Sequence, residues 1–325
     1  MGDRGLAAHP VIPREQSDRR RAVMENSKQR FIEAQRWMLD RHGVTASSRF
    51  VSLASRDDHA HVLTCGDGPD VVLLNGVGLP GAMWAPLMAT LAGFRLHAVD
   101  LPGFGLTDAT NFDARDQRRS AVRFLGEVLD ALELDRVSIV ANSLGSLWAS
   151  WFAIERPERV SALVHAGCPA LVLGASAPLP LRLLSARPLG RLLTRLQPPS
   201  PAQVEKFSRM AGEHPLEPEL VDLLVATESL PDYRQTFLTT LNSVLRLRGS
   251  RPRFRMTAEQ LQTIEQPTLI FWGEDDPFGS PDVGVRMVQL MPRAQMRVIG
   301  GGHAPWLTQA AVMGPAIMTF LHRNG

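Results

Sequence analysis

The chain has very little lysine and cysteine. Among 35 basic residues only Lys28 and Lys206 are lysines. Two cysteines, Cys65 and Cys168, are too few for a disulfide framework and lack the spacing of a metal site. A reduced compartment is therefore permitted. An excess of charge is missing too: a formal net charge of +2 over 325 residues gives no basis for nucleic-acid binding. No window stays apolar for the roughly 18 residues a membrane helix needs. The opening stretch "MGDRGLAAHPVIPREQ" lacks the apolar centre of a signal peptide. A cytoplasmic protein with no integral membrane segment is expected. Internal repeats are absent, and no pattern specifies an oligomeric state.

What is present is the apolar content of a globular chain with a large core, 44%. Residues 1 to about 15 read as disordered. Val23, Phe31, Ala34 and Met38, interleaved with arginine and glutamate, predict a surface helix over about 17–41 that stops at Gly43. From about Arg49 the chain alternates. "RFVSLAS" and "HAHVLTC" read as a hairpin around Arg56-Asp57-Asp58. The continuous apolar run "DVVLLN" suits a strand buried on both faces. Helix and strand then alternate through "RLHAVD", "VSIVAN" and "SALVHAG", and again through "TLIFWG" and "QMRVIG". This is the α/β class, a mostly parallel doubly wound sheet. Between the two runs lie about 90 proline- and leucine-rich residues with helical patterns and no strand signal. So long an insertion should be structured or functional, and it is read as a helical lid. The resulting division is 1–45 an N-terminal extension, 46–172 and 263–325 the core, and 173–262 the cap.

Three strand ends carry side chains suited to catalysis. In "VSIVANSLGSLWASW" a strand stops and a helix begins at Ser143, with Ala141 and Gly145 small on either side. A sharp turn there exposes a hydroxyl at the carboxyl edge of the sheet, beside the free N–H groups of a helix start. The same serine could simply be an N-cap. A serine nucleophile needs a base and the base an orienting acid. "VIGGGHAPWL" brings His303 over the strand ends on three glycines; His165 at the end of another strand is the second choice. His59 and His61 alternate on a strand and read as surface residues. In "TLIFWGEDDPF" both Asp275 and Asp276 could be the acid, and one of them is a polar turn residue.

Taken in chain order, serine, aspartate, histidine, these segments resemble the α/β-hydrolase superfamily from about Arg49 onward. "VVLLNGVGLPGAMW" is similar to the family's oxyanion loop, and "AVDLPGFGLTD" to its D-x-P-G-x-G-x-S segment with Thr107 in the serine position. The chain departs from the usual motif at Ala141, where glycine is common, and at Asn75, where the loop usually begins with histidine. The resemblance implies a helical cap where the insertion lies, and Asp276 rather than Asp275 as the acid. It also implies Val77 and Leu144 as oxyanion donors, with Gly78 the second choice to Val77. Asn75, Gly76, Gly78 and Trp306 are the expected substrate-binding residues. The implied chemistry is that of a serine hydrolase without cofactor or metal, acting on a small-molecule carboxylic ester or lactone. Similar capped enzymes cleave the carbon–carbon bond of vinylogous diketones with the same triad, which is the alternative. A ligand-binding receptor on the same fold is the alternative of another class.

Gly103-Phe104-Gly105 lacks the third glycine of a nucleotide loop and reads, with Asp100, as a structural turn. In the lid, Arg187, Arg191 and Arg195 recur every four residues between leucines, a cationic amphipathic helix. The arginines are expected to face solvent and the leucines, Leu192 and Leu193 among them, to line the pocket; contact with an anionic lipid or substrate is the other reading. Trp148, Trp151 and Tyr233 are candidates for either the pocket or the core.

Overall fold

A computed structural model describes residues 14–54, 58–109 and 116–325, with side chains from residue 22 onward. The expected disordered residues 1–13, Arg56-Asp57 of the expected hairpin turn, and the expected helix start near residue 114 lie outside the described residues.

Eight strands form one sheet: β1 (Ser47–Ser52), β2 (His59–Cys65), β3 (Asp70–Leu74), β4 (Arg95–Val99), β5 (Val137–Ala141), β6 (Val160–Ala166), β9 (Thr268–Gly273) and β10 (Ala294–Ile299). Their order is β1-β2-β4-β3-β5-β6-β9-β10. The hairpin β1–β2 and its junction with β4 are antiparallel; every later pairing is parallel. Helices α2 (Ala85–Met88), α3 (Gln117–Ala131), α4 (Ser143–Glu155), α11 (Pro281–Leu290) and α12 (Trp306–Asn324) connect or follow these strands. Both faces are covered, which is why the inner strands read as unbroken apolar runs. In β9, Trp272 enters the core on one face and Phe271 the core on the other, both fully buried. The parallel register aligns Leu74, Ala141, His165 and Ile270 in one row. The residues just past that row therefore emerge together at one edge, beside the β3/β5 junction where the winding reverses, the place where such sheets bind ligands.

Between β6 and β9 the chain builds a layer of short helices: α5 (Leu179–Leu184), α6 (Arg187–Leu196), α7 (Pro201–Met210), α8 (Pro218–Glu228), α9 (Tyr233–Val244) and α10 (Ala258–Gln262). The strandless reading of this segment needs one correction. A two-stranded hairpin, β7 (Leu245–Arg246) and β8 (Gly249–Ser250), follows α9. Two-residue strands are too short to leave a periodic signal.

The N-terminal helix α1 (Arg14–Arg41) buries Phe31, Ala34 and Met38, a stripe of helical period, but leaves Val23 69% exposed. It packs against α8 of the cap and against the turn Gly81–Trp84 of the core. His42 Nε2 lies 3.0 Å from Glu217 Oε2 at its end.

Helix α6 also departs from expectation. Arg187, Arg191 and Arg195 are exposed, but so are Leu192 (54%) and Leu196 (70%); Leu193 is the leucine that turns inward. His61 is no surface residue either. It is fully buried, with Nδ1 2.7 Å from Asp100 Oδ2. Asp100 also accepts the Gly81 and Leu106 N–H groups, so one buried carboxylate ties β2 to the two loops beneath the site.

Candidate active site

Ser143 sits where β5 turns into α4, at φ +50°, a left-handed conformation that costs a non-glycine residue energy. The turn is kept by its neighbours. A Cβ on Gly145 would lie 2.5 Å from the Leu74 carbonyl oxygen, and one on Gly76 3.1 Å from Ser143 Cβ. Ala141, inside the strand and fully buried, fits with its methyl group. As the first helical residues, Ser143 and Leu144 leave their N–H groups outside the intrahelical ladder.

His303 and Asp276 come from the ends of β10 and β9. His303 Nδ1 lies 3.0 and 2.9 Å from the two Asp276 carboxylate oxygens. Asp276 also accepts the Cys168 N–H at 2.9 Å and the Phe278 N–H at 2.9 Å. Three strand ends thus fix one buried carboxylate, and donation from Nδ1 leaves Nε2 as the acceptor of the ring. Among the described residues Nε2 has no hydrogen-bond partner. The Phe278 ring stacks on the imidazole at 3.8 Å between centroids. Asn142, next to Ser143, donates through Nδ2 to the His303 carbonyl at 2.8 Å and to the Ala166 carbonyl at 2.6 Å. The serine turn and the histidine loop are thereby joined. Asp275 is exposed and makes no such contact with His303. His165 is fully buried in β6 with no partner for either ring nitrogen among the described residues. Burial pushes its pKa down to about 4, so the ring is neutral, and no acid accepts from it among the described residues.

The expected binding residues divide. Val77 and Leu144 line one cavity with Ser143. Gly78 takes φ +82°, and a side chain there would meet Tyr233 Oη at 2.7 Å, so the loop runs directly under α9. Asn75 is fully buried and its Nδ2 donates to the Pro80 carbonyl at 2.6 Å. It braces the loop from within. Trp306 is not at the cavity. It is fully buried, stacked on Trp84 at 4.1 Å, and its Nε1–H donates to the Met83 carbonyl at 3.1 Å. Trp148 and Trp151 are core residues as well.

The cavity at Ser143 is narrow, about 50 Å³, and is walled by apolar groups: Pro169, Leu171, Ala175, Leu181, Leu241, Val244 and Phe278 among them. Val77 also borders a larger cavity of about 480 Å³ between α6, α7, α8 and α9, whose walls include Leu193, Arg195, Glu228, Tyr233 and Arg234. Burial pushes the Glu228 carboxyl up to about 7 and the Tyr233 hydroxyl well above its ordinary range.

One contact near the base had no signal in the sequence. Glu213 of the cap is 5% exposed, and its Oε1 accepts the Ala304 N–H at 2.6 Å. Only its place in "AGEHP", a glycine and an acid after a helical run, sets it apart.

A hydroxyl on a strained strand–helix turn, a buried imidazole–carboxylate pair and free helix N–H groups form a constellation suited to attack on a carbonyl carbon. The family described as alpha/beta hydrolase fold matches residues 69–309. The 2-hydroxy-6-oxononadienedioate/2-hydroxy-6-oxononatrienedioate hydrolase of Cupriavidus pinatubonensis is 33% identical over 283 residues, 80% of this chain and 90% of that one. The 2-hydroxy-6-oxo-6-phenylhexa-2,4-dienoate hydrolase of Burkholderia cepacia is 28% identical over 283 residues, 81% and 92% of the two chains. Among solved structures, a carboxylesterase from Bacillus subtilis superposes with a TM-score of 0.73 at 23% identity, covering 92% of this chain and all of that one. The likeness to the esterase is one of fold. With more than half of its length matched, the chain belongs to the alpha/beta hydrolase family.

Proposed function

We propose that the chain hydrolyses the C5–C6 carbon–carbon bond of a 2-hydroxy-6-oxo-dienoate, a vinylogous diketone, with an apolar group on the C6 ketone. The observation that carries this reading is the apolar chamber at Ser143, set beside relatives that are named for this substrate class. The chamber presents no charged side chain, so it suits a hydrocarbon acyl group better than the second carboxylate of a dienedioate. Arg195 and Arg234, in the cavity that adjoins it at Val77, suit the carboxylate at the other end of the substrate.

In this reading Ser143 Oγ adds to C6 while His303 Nε2 takes its proton. Val77 and Leu144 N–H groups hold the developing oxyanion. Cleavage proceeds from the keto tautomer, in which the proton of the 2-hydroxyl has moved to C5 to give a 2,6-dioxo-3-enoate; the C5–C6 bond then breaks with its electron pair moving through C4 and C3 into the C2 ketone, leaving a dienolate. His303 returns the proton to that fragment. Water, activated by the same imidazole, then hydrolyses the acyl-serine, and Asp276 steadies the imidazolium in both halves.

The ester or lactone expected from the sequence is the second reading, because an apolar acyl chamber and this machinery serve an ester equally well. Its support from known proteins is a likeness of fold, whereas the dienoate reading rests on sequence relatives. The discriminating experiment incubates the purified protein with 2-hydroxy-6-oxo-6-phenylhexa-2,4-dienoate and, separately, with p-nitrophenyl esters of graded chain length. Loss of the conjugated chromophore with release of benzoate is expected. Ester turnover without dienoate turnover reverses the order of the two readings. No turnover of either, with tight binding of both, favours a receptor.

A further inference from the structure

The loop that carries His303 is held from the cap side. Helix α7 ends in a turn that leaves little freedom: Gly212 takes φ +79°, its N–H donates to the Arg209 carbonyl, and the Glu213 N–H donates to the Ser208 carbonyl. This is the paired closure that fixes the residues just past a helix end. The turn delivers two acceptors to two consecutive N–H groups. Ala211 O accepts from His303 N at 2.9 Å, while the Glu213 carboxylate accepts from Ala304 N at 2.6 Å. The approach is close enough that a Cβ on Gly302 would collide with the Ala211 carbonyl.

We infer that Glu213 is a positioning residue for the base: through the Ala304 N–H, next to the His303 N–H that the Ala211 carbonyl accepts, the cap sets where the His303 imidazole stands. The inference rests on the reading of His303 as the base. It goes beyond that reading by making the cap a part of the catalytic geometry. The carboxylate does this best when ionised, since charge-assisted acceptors are stronger. Burial among these loops pushes its pKa up to about 7, opposed by the backbone N–H groups and by His303 and reinforced by Asp276. Of the other charged groups nearby, Arg209 on α7 lies 3.8 Å from Glu205 on its own helix, and the Asp275 and His214 side chains are exposed. Below about pH 7 Glu213 takes up a proton and the clasp weakens; above it the clasp is complete.

The test uses a fluorophosphonate, which needs the serine and its base but not the natural substrate. Its labelling rate is followed by intact mass from pH 5.5 to 9 for the full-length wild type, Glu213→Gln and Glu213→Asp, with thermal melts as a check on folding. Wild type should label at Ser143, with a rate that rises as pH passes through about 7. Glu213→Gln should label about 10- to 100-fold more slowly, the scale of a misplaced catalytic group, and lose the component of the pH profile centred near 7. With the dienoate, its kcat should fall while KM stays within about twofold. Should Glu213→Gln fail to fold, Glu213→Asp carries the test: it keeps an ionisable group and a pH-dependent rate, with slower labelling because the shorter side chain reaches the Ala304 N–H less well. A folded variant with the wild-type rate and profile overturns the inference while leaving the triad intact. A wild type that does not label overturns the triad, and the inference with it.

Discussion

Core and cap solve different problems with different means. In the core, the side chains of the site are fixed by backbone groups. Asp276 takes N–H groups from Cys168 and Phe278, Asn142 donates to two carbonyls, and Gly145 admits no larger residue. In the cap, the walls of the larger cavity are side chains on short helices, several of them part-exposed, with Glu228 raised by burial. The difference separates two kinds of tolerance. A core site held by the main chain has one geometry and fails when a single member changes. A cavity lined by helix side chains changes its preference before it loses function.

The largest effect that would break this contrast is at the nucleophile. Ser143→Ala should abolish both turnover and fluorophosphonate labelling; labelling that persists moves the nucleophile elsewhere. Next is the acid. Asp276→Asn should lower kcat by about 10⁴, the cost of the same change in the serine-protease triad, whereas exposed Asp275→Asn should cost less than tenfold. Equal losses at the two positions would mean that the hydrogen bonds to His303 do not decide the base.

A third prediction concerns stability in the cap. Glu228 has an ordinary value of 4.5 and a folded value of about 7. The folded chain holds that proton to higher pH than the unfolded chain does, so this group costs stability progressively as pH rises from about 4.5 to about 7 and its full cost remains above that window. Glu228→Gln should therefore raise the melting temperature at pH 8, by an amount on the order of 2 to 3 kcal/mol in free energy, and leave it unchanged at pH 4. A gain at both pH values would point to packing rather than ionisation. The smallest effect sharpens the contrast. Leu193→Ala should reorder activity on substrates of graded apolar size by about 1 kcal/mol per lost methylene contact, while Leu192→Ala, at an exposed position, should not. Charge reversal at Arg187 and Arg191 should leave that order unchanged, since both face solvent.

The same contrast explains what could be read in advance. The strand runs from Asp70 to Gly273 and the order of the strand ends were legible because a sheet buried on both faces writes its strands as apolar words. Ser143, Asp276 and His303 stood at those ends, and the small residues around Ser143 answer a steric demand at Gly145 and Gly76. Trp306 was misread because a tryptophan at a helix start can turn either way, and Met83 and Trp84, distant in sequence, decide it. His61 was misread for a similar reason: its partner Asp100 lies 39 residues on. Leu192 and Leu193 are adjacent in an amphipathic run, and only the position of α6 over the cavity distinguishes them. Glu213 depends on a helix end meeting a loop 91 residues later, a coincidence that no local pattern records.

Helix α1 has a consequence for the cap. It lies across α8 of the cap and the Gly81–Trp84 turn of the core, fastened by Phe31 and Met38 and closed at its end by His42 and Glu217. For the cap to part from the core on that side, these contacts must break first. The side of the larger cavity formed by α6 with Pro198 and Pro199 carries no such strap among the described residues, so the cap is pinned at one flank and free of α1 at the other.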